Sequence, residues 1–358
     1  MKQGIGLQEL AREIQRQTEV KRDFIAWPSK LWMNYNTFNN DFWLDIPIND
    51  HAESYGLNDV SHSQISQYTS IPMTYYNRMR AEHGDLLTTN VNAWFRKTAA
   101  KPERRLIRTL DNKARAFLSD RYAAWIDNSL ALTASFPVFE KYPGIEFKSL
   151  ALTEKRLYMQ IVLPQIQGEV KKGGIVYAGV VISNSEVGCG MFTVERVLYI
   201  LACENGAIRG NPIGRRHLSR RIEGEDVDGF YKRNTLQAEA MSFQLMVRDH
   251  IEAALDEVNF RYDLKLIETA GIKEISGDIP LVVEEVSKRT GLIESESKAV
   301  LDRLIRGGDL SLWGMSQAIT NLANETEDYD RVVELERIGG KIIDMPASEW
   351  TAINAVKA

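Results

Sequence analysis

The stretch from Gly173 to Arg221, GGIVYAGVVISNSEVGCGMFTVERVLYILACENGAIRGNPIGRRHLSRR, most constrains what this chain can fold into. Two runs rich in Val, Ile, Tyr and Phe, Ile175 to Ser183 and Met191 to Ala202, read as β-strands. The gap between them holds Asn184, Gly188 and Gly190. That is hairpin chemistry: glycine supplies positive φ without steric cost, and Asn and Ser bond back to the backbone. A Gly- and Pro-punctuated loop comes next. Five arginines and His217 then fall between Arg209 and Arg221 with no acid among them, and four acids, Glu223, Glu225, Asp226 and Asp228, follow directly. A buried sheet that delivers a dense cationic loop to the surface is the expected arrangement.

The remaining segments are read from their periodicity. LQELAREIQRQ near the start places Leu7, Leu10 and Ile14 at helical spacing. The aromatic, Asn-rich stretch FIAWPSKLWMNYNTFNNDFWLDIPI is either an exposed binding or oligomerisation surface or a strap whose rings dock into the protein's own core. Residues 57–97 read as helix, turn, helix, broken at Ser70-Ile71-Pro72. As a DNA reader their second helix offers only Arg78 and Arg80, so a structural helical pair is the simpler reading. Hairpins are expected for Arg104 to Leu110 with Ala114 to Leu118, and for Phe147 to Leu152 with Arg156 to Leu163. A helix is expected from Arg121 to Ala134, capped by Ser119 or Asp120, and a long amphipathic one from Tyr231 to Val258. Glu268 to Gly277 reads as a link. Helices then follow at Leu281 to Thr290, Glu294 to Ile305, Trp313 to Ala323 and Tyr329 to Ile338, with Gly307-Gly308 and Gly339-Gly340 as stops.

These elements add up to an α+β fold, a central antiparallel sheet of hairpins with a long packing helix, flanked by helical N- and C-terminal regions. The expected divisions are an N-terminal arm (1–55), a helix-turn-helix-like segment (56–100), a central α+β core (101–262) and a C-terminal helical region (263–358).

Composition narrows the function. With 44% hydrophobic and 26% charged residues, a chain of 358 residues buries a sizeable core. A formal net charge of -5 argues against a generic polyanion binder, so any nucleic-acid contact must come from a local basic face. Cys189 and Cys203 sit among apolar residues and read as reduced, buried thiols of a cytoplasmic protein. No apolar run reaches the ~20 residues that span a bilayer, and no signal-peptide core follows Met1, so no membrane partner is expected.

Several stretches resemble a known family. RTLDNKARAFLSDRYAAWIDN, SNSEVGCGMFTVERVLYILACENGAI, LWGMSQAITNLA and LERIGGKII are similar to the phage- and plasmid-borne family called "domain of unknown function 932". Arg115 to Tyr122, and Asn184 to Gly188 with Cys203 to Gly206, carry the resemblance most specifically. It extends over roughly residues 55–345. The family sits in prophages and conjugative elements, which implies a role in mobile DNA within a bacterial host. It brings no catalytic residues and no cofactor.

For chemistry, Asp120, Asp127 and Glu186 are the carboxylates available to a Mg²⁺-dependent nuclease, although their spacing is unremarkable. No nucleophile signature accompanies His217, and Gly188 to Gly190 lack the strand-to-helix setting of a phosphate loop. Binding is the stronger reading. Arg115, Arg121, Lys171, Lys172, Arg209, Arg215, Arg216, Arg220 and Arg221 are candidate phosphate holders, with Tyr122 and Trp125 as stacking faces for unpaired bases. The competing reading pairs Arg115 and Arg121 with Asp111 and Asp120, and the 215–221 run with the acids at 223–228. The element order is similar to that of phage single-strand annealing proteins of the RecT and Red-beta type, which act as oligomers without metal or ATP. The expected function is therefore single-stranded nucleic-acid binding, with possible strand annealing, by a homo-oligomer. The alternatives are a metal-dependent nuclease and a protein-binding antagonist of host defence.

Overall fold

The computed structural model describes residues 2–48, 51–97, 103–123, 125–170, 174–201, 204–217 and 233–356. The chain enters through strand β1 (Lys2–Gln3) and helix α1 (Leu7–Val20), which buries Leu10 and Ile14 as their spacing predicts. Strands β2 (Arg22–Ala26), β3 (Trp32–Asn36), β4 (Asp41–Ile48) and β5 (His51–Leu57) come next. Helices α2 (Asp59–Thr69), α3 (Met73–Glu82) and α4 (Gly84–Lys97) precede the hairpin of β6 (Arg105–Leu110) and β7 (Lys113–Ser119). Asp111 and Asn112 both take positive φ at its turn. These strands form an N-terminal sheet in the order β2-β6-β7-β5-β4-β3, antiparallel except between β5 and β7.

Helix α5 (Asn128–Phe139) leads into the central sheet of β8 (Glu146–Leu152), β9 (Leu157–Val170), β10 (Gly174–Asn184), β11 (Phe192–Ile200) and β12 (Asn205–Arg215). Its order is β1-β8-β9-β10-β11-β12, antiparallel throughout. The long helix α6 (Arg233–Ala254) follows, then α7 (Glu257–Ile272), α8 (Ile279–Thr290), α9 (Glu294–Gly307), α10 (Leu312–Leu322), α11 (Tyr329–Ile343) and α12 (Ala347–Asn354). This is the expected α+β class, with a hairpin sheet, a long packing helix and a helical C-terminal region.

Alternation along the strands sorts the central sheet's two faces. Met159, Ile161, Val180, Ile182, Phe192 and Val194 pack against α1, α5 and α6. Tyr158, Val181, Val197 and Ile208 point the other way and meet Val333 of α11. Among the described residues, no helix is long and apolar enough to cross a membrane.

Several local expectations are corrected. The aromatic stretch is neither a loose arm nor a simple strap. It forms β2 to β4, which bury Met33, Phe42, Leu44 and Ile46 while leaving other rings outside. Asn205 to Arg215 is a strand, not a loop: it lies at the sheet edge, where proline breaks no ladder, and Gly210 takes φ 82° near the bulge opposite Val194 and Arg196. Helix α5 begins at Asn128, because Asp127 is the residue whose carboxylate accepts from the Leu130 amide. The long helix ends at Ala254, Asp256 caps a new one, and that helix runs through part of the expected link. Gly308 does stop α9 in the left-handed conformation. Gly339 and Gly340 stop nothing and lie inside α11, where a Cβ on Gly340 would sit 1.7 Å from the Ile208 carbonyl oxygen. Those glycines serve close helix-to-strand packing.

Candidate nucleic-acid interface

The structure divides the expected phosphate holders. Arg115 is buried, 3.9 Å from Glu186 Oε2, and donates to Gln17 Oε1 at 3.3 Å. Arg209 is buried too, and it donates to Asp263 Oδ1 at 3.1 Å and to Asp344. Arg215 pairs with Glu239 and lays its guanidinium 5.0 Å from the Trp125 ring centroid. Arg121 and Arg216 are exposed. Lys171, Lys172, Arg220 and Arg221 lie outside the described residues, as do Cys203 and the acids at 223–228. The acid-free look of the 209–221 run is thus an effect of sequence distance: Asp263, Asp344 and Glu239 reach it from helices or helix ends far along the chain. The pairings first considered for the other cluster are replaced as well. Asp111 is held by Arg16 at 2.7 Å, and Asp120 lies 3.6 Å from Arg104.

Two of the sequence segments do converge. The Ala123 amide donates to the His217 carbonyl at 3.0 Å, and the Tyr122 ring stacks on the imidazole with centroids 4.9 Å apart and planes 5° from parallel. His217 Nε2 faces two acceptors, Ile126 O at 3.1 Å and Asn184 Oδ1 at 2.9 Å, so Nε2 carries the proton. Burial lowers the imidazole pKa to about 4 and keeps it neutral. The stacking faces of Tyr122 and Trp125 are therefore already engaged by His217 and Arg215.

The carboxylates meet around a lysine. Lys21 Nζ lies 2.9 Å from Asp127 Oδ2 and 3.1 Å from Glu186 Oε1, and the Asn128 amide also donates to Glu186 Oε1 at 2.8 Å. Burial works against the Asp127 carboxylate, yet Lys21, the Ser129 hydroxyl and the Leu130 amide hold its pKa below the ordinary value. Arg108 forks onto Asp23 at 2.8 and 2.7 Å and donates to the Glu186 carbonyl at 3.0 Å. Gln64 of α2 donates to the Val187 carbonyl at 2.7 Å. The Asn184-Ser185-Glu186-Val187 turn is thus the rivet between the two sheets. Asp120 stands apart with Arg104, and among the described residues no group of three or more His, Cys, Asp or Glu side chains is placed to share a metal ion.

The helix-turn-helix-like segment turns inward. Tyr76 and Met79 of α3 are buried, while Arg80 is held by Asp59 at 2.7 Å and Arg78 pairs with Glu82 at 3.1 Å. A cleft of about 760 Å³ beside α2 is lined by Asp59, Glu154, Glu327, Asp328 and Asp330 with Lys155 and Cys189, a lining that repels phosphate. Cys189 is a half-buried free thiol whose pKa burial raises.

A basic, aromatic surface does exist, where the residue-by-residue reading did not place it. A 3-10 turn (Pro28–Lys30) joins β2 to β3, and α4 packs on both that turn and β3. Trp27, Trp32 and Trp94 stay 37%, 44% and 42% exposed there. Each ring carries a cation: Arg104 lies 6.0 Å from the Trp27 centroid, Arg96 5.3 Å from Trp32, and Lys97 5.2 Å from Trp94. Lys30 is exposed beside them. Ala26, Arg105 and Ser119 are cross-strand partners, so Trp27, Arg104 and Asp120-Arg121 leave the N-terminal sheet at one end. The signal was present in WPSKLW and NAWFRK, whose tryptophans and cations interleave.

No family model, no curated protein and no solved structure matches this chain.

Proposed function

We propose that this protein binds single-stranded nucleic acid across the surface of Trp27, Trp32 and Trp94, as a mobile-element protein of the kind the "domain of unknown function 932" resemblance implies, working in a bacterial cytoplasm. The observation that carries the reading is the set of half-exposed tryptophans, each accompanied by an arginine or lysine. Unpaired bases stack on such rings for ~1–3 kcal/mol each without regard to sequence, and the adjoining cations meet the phosphates between them. Arg121 and Arg216 extend the basic surface. Arg115 and Arg209 belong to the interior and leave the list of phosphate holders.

The test is a titration of intrinsic tryptophan fluorescence with a single-stranded oligonucleotide at several salt concentrations. Quenching that saturates, with log K falling against log salt at a slope of about -2 for Lys30, Arg96 and Lys97 at ~0.7 each, supports the reading. Unchanged fluorescence at low salt contradicts it.

A further inference from the structure

Strand β4 alternates strictly. Phe42, Leu44 and Ile46 are buried with residues of α2 to α4, while Asp41, Trp43, Asp45 and Pro47 keep contact with water. The N-terminal sheet therefore has an open face where β3, β4 and β5 run side by side. Register sets what that face displays. Trp32 stands opposite Asp45, which stands opposite Ser54. In the next row Asn34 stands opposite Trp43, then come Gly56 and Lys113. Opposed side chains lie about 5 Å apart at Cβ and diagonal ones within reach of an aromatic ring, so the two tryptophans bracket Asp45.

Asp45 is fixed in this grid. Its Oδ2 accepts from the Asn34 side-chain amide at 2.6 Å, and its Oδ1 from the Ser54 hydroxyl at 2.5 Å. Among the described residues no arginine or lysine pairs with it. Two neutral donors thus orient the carboxylate, and each oxygen keeps acceptor capacity. Asn34, having given its amide hydrogen, retains its Oδ1 as a further acceptor.

A carboxylate repels phosphate, yet this one lies between rings flanked by cations. Arg96 is 5.3 Å from the Trp32 centroid, and Trp43 and Lys113 both border the bare Gly56. An oriented carboxylate beside an aromatic ring matches two adjacent N–H donors on the edge of a flat, stacked ring. Among the standard bases only guanine has them, N1–H beside the N2 amino group. Adenine and cytosine set a ring-nitrogen acceptor beside their amino group, and thymine sets one N–H between two carbonyls.

We propose that this face reads guanine: the base stacks on Trp32, Asp45 accepts from its N1–H and N2 amino group, and Lys113 meets the strand's phosphate beyond Trp43. The inference rests on the single-strand reading of the Trp32 surface and adds a base preference to it.

Fluorescence anisotropy of the full-length protein, with labelled short thymidine strands carrying one central deoxyguanosine, deoxyinosine or deoxyadenosine, tests this. The guanosine strand should bind about tenfold tighter than the adenosine strand. Inosine, which keeps N1–H but lacks the amino group, should fall between them. Asp45→Asn should erase that ranking and modestly tighten the all-thymidine strand, because a negative charge leaves the path. Circular dichroism checks the variant, and the ranking itself is read on the unsubstituted protein. Equal affinity for the three strands, or a ranking that survives in Asp45→Asn, overturns the guanine assignment and leaves the tryptophan reading standing. No binding to any strand overturns both.

Discussion

Lys21 Nζ lies 3.1 Å from Glu186 Oε1, joining the end of α1 in front of the N-terminal sheet to the β10–β11 turn of the central one. Glu186 is only 3% exposed, and Asp127 shares the same ammonium. Removing one partner of such a buried group leaves uncompensated charge and typically costs ~3–5 kcal/mol. Lys21→Met should lose stability on that scale in urea unfolding, with Glu186→Gln losing less because the amide keeps a hydrogen-bonding role. Mg²⁺ should not raise the melting temperature of the unsubstituted protein, since a lysine holds the place a metal would need. A Mg²⁺-induced rise that vanished in Glu186→Gln would revive the nuclease reading.

The interior and surface arginines of one sequence run should behave differently. Arg209→Ala leaves the buried Asp263 with Arg196 alone, 3.4 Å away, and its pKa, which burial raises while Arg209 and Arg196 pull it down, should rise further. The substitution should destabilise the fold by ~3–5 kcal/mol. Arg216→Ala should leave stability within ~0.5 kcal/mol and weaken only oligonucleotide binding. Parallel denaturation and binding curves on the two variants check this separation.

Glu336 of α11 is fully buried; it accepts from the Gly206 amide at 2.9 Å and the Gln160 side-chain amide at 3.3 Å. Burial raises its pKa from 4.5 to about 7 against those hydrogen bonds. Between these values the native state keeps a proton that the unfolded chain releases, so unfolding free energy falls as pH rises, by about 3 kcal/mol in total. Glu336→Gln should remove that component: the difference between the two stability curves should change from pH 4.5 to 7 and stay flat above. A constant difference across the window would refute the assignment.

Two helical glycines should respond with opposite signs. Gly340→Ala drives a methyl into the Ile208 carbonyl oxygen, an overpacking that costs ~1–3 kcal/mol or more and outweighs the better helix propensity. At Gly307 a Cβ meets nothing within 4 Å, so Gly307→Ala should stabilise by ~0.4–1 kcal/mol. Thermal unfolding reads both.

Much of this fold was legible because its signals are local. The β10–β11 hairpin follows from two β-branched runs around Asn184, Gly188 and Gly190, and the C-terminal helices from their apolar spacing. What the sequence hid depends on distance along the chain. Arg209 looks like a phosphate ligand until Asp263 and Asp344 fold onto it. Gly339-Gly340 looks like a helix stop until β12 lies against it. The tryptophan surface is assembled from a turn near residue 28 and a helix end near residue 97, and the arginine run at 209–221 drew attention elsewhere. Glu186 was legible as a turn residue; its partner Lys21 was not.

The central claim is tested most directly by fluorescence anisotropy of a labelled single-stranded oligonucleotide at low salt, comparing the unsubstituted protein with a Trp27→Ala, Trp32→Ala, Trp94→Ala triple variant. Loss of three stacking faces at ~1–3 kcal/mol each predicts at least about a hundredfold weakening with the fold retained by circular dichroism. Equal affinity of the two proteins, or no binding by either, would contradict it.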